Sequence, residues 1–219
     1  MAIDIFISVG RTFIPEQEKF VQEIEAILRA NGLNPRAVGR NDFTSEQPLK
    51  FIQSLISKCS GTVIVAFERV LISAGTEKRG SADQKSLNDA RIPTVWNQIE
   101  AGMAYQRGHP MLVILEDGLR QEGLLEEGYD WWVQRVPMRP DALRGPEFMG
   151  VLSDWKNRVQ AFAEHMQREP QAPTDVSNRP LYEILKSLTP SQVWSLVVAI
   201  AVSLSAVGTI AFKLGMLSK

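Results

Sequence analysis

One cysteine, Cys59, and two histidines, His109 and His165, are all that 219 residues offer of the softer metal ligands. With no second cysteine, an internal disulfide is excluded, and a reducing compartment is the natural setting. The histidines lie far apart in sequence and Cys59 has no partner at ligand spacing, so no metal site or resident cofactor is expected. Neither sign of charge is in excess, with 24 Lys and Arg against 25 Asp and Glu. Without a basic tail or stripe, the chain lacks the electrostatic footprint of a nucleic-acid binder. SVGRT, after the first apolar run, lacks the glycines of a Walker loop or a G-x-G-x-x-G turn, and no G-x-S-x-G occurs. Phosphate-loop nucleotidases, dinucleotide folds and the simplest serine hydrolases are thereby set aside. The opening MAIDIFISVG carries Asp4 and neither a basic lead nor a long apolar core, so it reads as a strand rather than a signal peptide.

The strongest compositional feature is VWSLVVAIAVSLSAVGTIAF, residues 193–212, which holds no charge before Lys213. About 20 apolar residues match a bilayer core, and Trp194 and Lys213 suit its interfaces. The expectation is a membrane anchor over 191–214 with the N-terminal domain cytoplasmic; a buried apolar helix docked on the domain is the alternative. Ser203, Ala206 and Gly208 would permit close helix packing and self-association. The stretch 167–190 before it is rich in Pro and polar residues at its start and reads as a linker and juxtamembrane segment. Residues 1–166 are left as a soluble domain.

Within that domain, apolar runs alternate with amphipathic ones. DIFISV (4–9), NPRAVGR (34–40), TVIVAF (62–67), MLVIL (111–115) and VQRVPM (133–138) are expected strands. Helices are expected after Pro15, after Ser45, over the stretch containing Trp96 and Glu100, and along the stripe Phe148, Leu152, Trp155, Val159 and Phe162. This alternation implies an α/β fold: a parallel sheet of about five strands with helices on both faces. The polar stretch 73–93 exceeds ordinary connections and is expected to be a loop that partly shields the site. Ligands of such sheets gather at the carboxyl ends of the strands, where strand order reverses. Here that means 8–11, 40–42, 67–69 and the start of the third helix.

Glu100 follows Trp96 by four residues, so both project from one helical face at that edge. Read from the helix alone, Glu100 is equally a solvated residue beside the buried stripe, and Trp96 a core aromatic. T-V-W-N-Q-I-E (94–100) resembles the S-x-W-C-x-x-E segment of TIR (Toll/interleukin receptor) domains, with Thr94 for Ser and Asn97 for Cys. DIFISV resembles that family's opening D-V-F-I-S strand, and SLISKCSGTVIVAFER its I-x-x-S-x-x-x-I-V-V pattern. AGMAYQRGHPMLVIL resembles its small-residue helix, G-K-P turn and next strand. Together these segments cover about residues 3–166. E-A-G-M-A (100–104) also matches the E-x-G-x-A of the nucleoside 2-deoxyribosyltransferase-like group.

Both resemblances imply a flavodoxin-like fold and cleavage of an N-glycosidic bond, with Glu100 as the catalytic carboxylate. Departure of the base leaves an oxocarbenium-like sugar, whose charge a carboxylate stabilises or captures covalently. The expected substrate-binding set is Ser8, Gly10, Arg11, Arg40, Phe67 and Trp96, with the arginines meeting phosphates, Phe67 flooring the pocket and Trp96 stacking on a base. Glu68 and Asp42 are weaker polar candidates. The TIR resemblance implies NAD or a related nucleotide as substrate, a homo-oligomer activated by side-by-side assembly, and a role in bacterial antiphage defence. Three readings remain open at this stage: such an effector, a non-enzymatic nucleotide-sensing or signalling module acting through its span, and a nucleoside deoxyribosyltransferase-like enzyme.

Overall fold

β1 (Ile3–Val9), β2 (Leu33–Arg36), β3 (Thr62–Ala66), β6 (Met111–Glu116) and β7 (Trp132–Val136) form one parallel sheet in the order β2-β1-β3-β6-β7. The computed structural model describes residues 2–168. Four helices alternate with these strands: α1 (Pro15–Ala30), α2 (Pro48–Lys58), α3 (Val95–Gln106) and α4 (Pro146–Arg168). With the β3–α3 insert left aside, the strands are ordered 2-1-3-4-5, the doubly wound α/β arrangement the alternation implies. The order reverses between β1 and β3.

Successive side chains of each strand serve opposite layers. Ile5, Ile7, Val63, Val65, Leu112 and Ile114 pack with Phe20, Ile24 and Leu28 of α1 and Leu152, Trp155 and Val159 of α4. On the other face Ile64, Ala66, Val113 and Leu115 meet Ala101 and Ala104 of α3, while Phe6 meets Ile52, Leu55 and Ile56 of α2. Both faces are covered, which is why these strands read as unbroken apolar runs. β2 ends at Arg36, short of the expected residue 40, and carries Pro35 at the sheet edge, where a missing N–H is tolerated.

Gly61, just before β3, marks a close approach. A Cβ there would stand 2.6 Å from Val159 Cγ2, 3.3 Å from Trp155 Cζ2 and 3.4 Å from Ile5 Cδ1. Gly61→Ala is expected to overpack this junction and cost about 2 kcal/mol, a fall of roughly 4–8 °C in Tm. A thermal melt unchanged from wild type would show that α4 yields freely.

The polar stretch expected to be a loop is instead a hairpin. β4 (Val70–Glu77) and β5 (Lys85–Ile92) pair antiparallel and form a separate two-stranded sheet. Nearly every position of it is exposed or half-buried, so no core imposes an apolar alternation on the sequence. The connecting turn uses positive φ at Lys78 and Gly80.

Gln167 and Arg168, assigned to the linker by composition, are the last residues of α4. The rest of the expected linker and the apolar stretch 193–212 lie outside the described residues. Among the described residues no helix is long and apolar enough to cross a membrane.

Candidate active site

A cleft of about 330 Å³ opens at the carboxyl ends of the strands, where strand order reverses between β1 and β3. Its walls are Val9, Gly10 and Arg11 after β1, Val38 after β2, Phe67 and Arg69 after β3, Pro48 and Ile52 of α2, and Thr94, Trp96, Asn97 and Glu100 at the start of α3. No residue of the hairpin lines it. The stretch 73–93 therefore neither fills nor walls the cleft, contrary to the expected partial shield.

The start of α3 supplies four of the lining residues. Thr94 caps the helix, its Oγ1 accepting a long hydrogen bond from the Trp96 N–H. One turn further in, Glu100 reaches the same cleft as Trp96. Ala101 and Ala104 are fully buried and let this helix lie close on the sheet. A Cβ on Gly102, between them, would meet Leu124 Cδ1 at 3.6 Å.

Glu100 is only 8 % exposed. Burial pushes its carboxyl up from 4.5 to about 7, and a hydrogen bond from the Ser8 hydroxyl opposes the rise. At neutral pH this carboxyl is divided between its acid and base forms, a condition suited to proton transfer or to stabilising positive charge. No cation is paired with it among the hydrogen bonds and ion pairs of the described residues, so its ionised form is held chiefly by Ser8.

Asn97 lies at the back of the cleft and is 1 % exposed. Its Nδ2 donates to Ser8 Oγ (3.1 Å), to the Ser8 carbonyl (3.3 Å) and to the Val65 carbonyl (3.3 Å). One amide thus bridges β1 and β3 where they diverge. Ser8 Oγ accepts from Asn97, which leaves its proton for Glu100. Asn97 Oδ1 is buried without a partner among the described residues.

Ser8→Ala removes the one interaction that favours ionised Glu100. Its carboxyl is expected to titrate about a pH unit higher, the worth of one hydrogen bond to a charged group. Any activity that needs the carboxylate should then rise with pH along a limb displaced upward by that amount. An unmoved pH profile would show that the Ser8 hydroxyl does not bear on Glu100.

Of the expected binding residues, Gly10, Arg11, Phe67 and Trp96 line the cleft with Glu100, and Ser8 lies behind it. Gly10 is tight against α3: a Cβ there would meet Thr94 Cγ2 at 3.2 Å. Arg40 does not line the cleft. It pairs with Glu18 at 2.9 Å and with Glu25 at 3.0 Å, and it holds the Glu18 carboxyl down at about 2. Asp42 is bound to Arg36, and Glu68 to Arg91 at 2.5 Å.

Arg69 is the cleft cation that sequence reasoning did not single out. It shares with Arg11 the only available signal, a cation just past the carboxyl end of a strand, and its guanidinium lies 4.0 Å over the Phe13 ring. Among the described residues no group of three or more His, Cys, Asp or Glu is placed to hold a metal ion.

No protein-family model and no curated protein matches this chain. Among solved structures, the CMP N-glycosidase BcmB of Clostridium botulinum is similar over 64 % of this chain and 92 % of its own, at 13 % identity and a TM-score of 0.36. The TIR domains of the activated Roq1 resistosome are similar over 84 % of this chain and 98 % of theirs, at 11 % identity and a TM-score of 0.33. The flavodiiron core of Flv1 from Synechocystis is similar over 75 % of this chain and 37 % of its own, at 11 % identity and a TM-score of 0.39. Likeness at this level carries no inference about activity.

Proposed function

We propose that this chain hydrolyses the N-glycosidic bond of a nucleotide, with Glu100 as the catalytic carboxylate. The observation that carries the reading is a desolvated carboxyl, titrating near neutrality, in the cleft at the sheet's switch point. Trp96, 40 % exposed at the same cleft, offers a face for a base. Arg11 and Arg69 offer charge for a phosphate. The resemblance of 94–100 to the TIR glutamate segment, and of 100–104 to the deoxyribosyltransferase pattern, points to the same residue.

In the proposed reaction the bond between C1′ and the base nitrogen breaks, and its electron pair leaves with the base. The Glu100 carboxylate faces the positive charge left on C1′ and the ring oxygen. Water then forms the new bond to C1′, and its proton passes to the carboxylate or to solvent. The apolar walls Val9, Val38, Ile52 and Phe67 limit competing water and strengthen the carboxylate's interaction with that charge.

The membrane anchor over 193–212 and a part in antiphage defence belong to the same proposal, supported by the uncharged run and by the TIR resemblance respectively. The test is release of free base by the full-length chain from NAD, NADP, CMP and deoxynucleosides, wild type beside Glu100→Ala. Nicotinamide or another base appearing with wild type alone supports the reading. Equal release by both proteins removes Glu100 from it, and base exchange between nucleosides would instead mark a deoxyribosyltransferase.

A further inference from the structure

Gln17, in the first turn of α1, is buried and takes no part in the cleft wall. Its Oε1 accepts from the Phe13 N–H at 3.0 Å, and its Nε2 donates to the Glu68 carbonyl at 3.4 Å, 51 residues away. The first bond is a variant of helix capping, in which a glutamine of the first turn reaches back to a free backbone N–H. Capping alone does not call for an amide, because a glutamate would accept equally and its charge suits a helix N-terminus. The amide is needed for the second bond, to a carbonyl that a carboxylate would repel. That bond joins the two segments that carry the cleft's arginines. Arg11 lies in the connection between β1 and α1, two residues before Phe13, and Arg69 directly follows Glu68. The Arg69 guanidinium lies over the Phe13 ring, and its backbone N–H donates to the Ile92 carbonyl at 2.9 Å. Among the described residues neither arginine is in an ion pair.

We propose that Gln17 is a positioning residue for the anionic group of the ligand: by tying the Phe13 N–H to the Glu68 carbonyl it holds Arg11 and Arg69 at one spacing, ready for a single phosphate. Both side chains are exposed and carry like charge, so nothing else keeps them together in the empty cleft. Without the tie, a phosphate would have to order both segments as it binds, at a cost in affinity. A nucleoside, which has no phosphate, would not meet that cost. The inference rests on the reading of the cleft as a nucleotide site, and not on cleavage by Glu100.

The test is equilibrium binding of CMP and nicotinamide mononucleotide, each beside its nucleoside, to the full-length chain carrying Glu100→Gln to suppress turnover. Two further changes are made singly in that parent. Gln17→Met removes both hydrogen bonds and adds no charge, whereas Gln17→Glu keeps the cap and loses the tie. Each is expected to weaken both nucleotides about tenfold, the scale of one hydrogen bond, and the nucleosides less than about twofold. An equal loss for nucleotide and nucleoside overturns the proposal, because it marks a general change of cleft shape. A loss confined to Gln17→Glu overturns it as a charge effect, and so does no loss in either variant. A parent that binds nucleotides no more tightly than nucleosides overturns it too. Base release by the wild type, measured separately, decides the cleavage reading, so the two can fail independently.

Discussion

Replacing Glu100 by Gln is expected to slow glycosidic-bond cleavage by about 10²–10⁴-fold, while making the folded chain more stable above neutral pH. The two effects share one cause. Burial raises the folded-state carboxyl to about 7 against an ordinary value of 4.5. Between those values the unfolded chain releases a proton that the folded chain retains, so stability falls as pH rises through the window and then levels off. Gln carries no proton to lose. Its advantage should be small near pH 4, grow through pH 5–7 and reach about 3 kcal/mol by pH 8. Denaturant midpoints of the two proteins at pH 4, 6 and 8, beside base-release rates, separate the components. A lost activity with no pH-dependent stability gain would mean that the carboxyl is solvated. A stability gain with activity retained would mean that it is desolvated but idle.

The position of Glu100 was legible because two sequence features intersect there. MLVIL, apolar at every position, and TVIVAF, apolar after Thr62, are readable as strands covered on both sides, and the Trp96 to Glu100 spacing places both residues on one face of the helix at their edge. The hairpin was not legible in the same way. Residues 70–92 bury almost nothing, so hydrophobic pattern, the main signal for a strand, is absent from them. Arg40 and Arg69 show a second limit. Both are cations past strand ends, but Arg40 faces Glu18 and Glu25, which stand 22 and 15 residues away in sequence and become neighbours only through tertiary packing. Nothing local marks one arginine as neutralised and the other as open to the cleft. Asn97 is similar: resemblance places it in a cysteine slot, and packing alone shows its amide bridging Ser8 and Val65.

One guanidinium fastens the root of the hairpin to the cleft wall, and removing it is expected to lower stability well beyond the range of an ordinary surface change. Arg91, near the end of β5, donates Nε to Glu68 at 2.5 Å, a second nitrogen to Glu116, and a third to the Asp117 carbonyl at 2.7 Å. Glu116 in turn accepts from the Glu68 N–H at 2.7 Å. The carboxyl ends of β3 and β6 and the root of the hairpin thus meet on one guanidinium. Arg91→Met leaves two carboxylates together without their cation. The side chain of Glu116 is 12 % exposed and that of Glu68 36 %, so the cost should fall between that of a surface pair and that of a buried one, about 2 kcal/mol. Arg91→Lys keeps the charge but cannot reach three acceptors in one plane, and should recover less than half of the loss. Glu68 sits between Phe67 and Arg69, two residues of the cleft wall. Loosening it should therefore raise KM for a nucleotide more than it lowers kcat, since Glu100 is held separately by α3. A denaturant midpoint within about 0.5 kcal/mol of wild type would place Arg91 among ordinary surface charges. An equal fall in kcat with KM unchanged would instead show that the fastening acts on Glu100 itself.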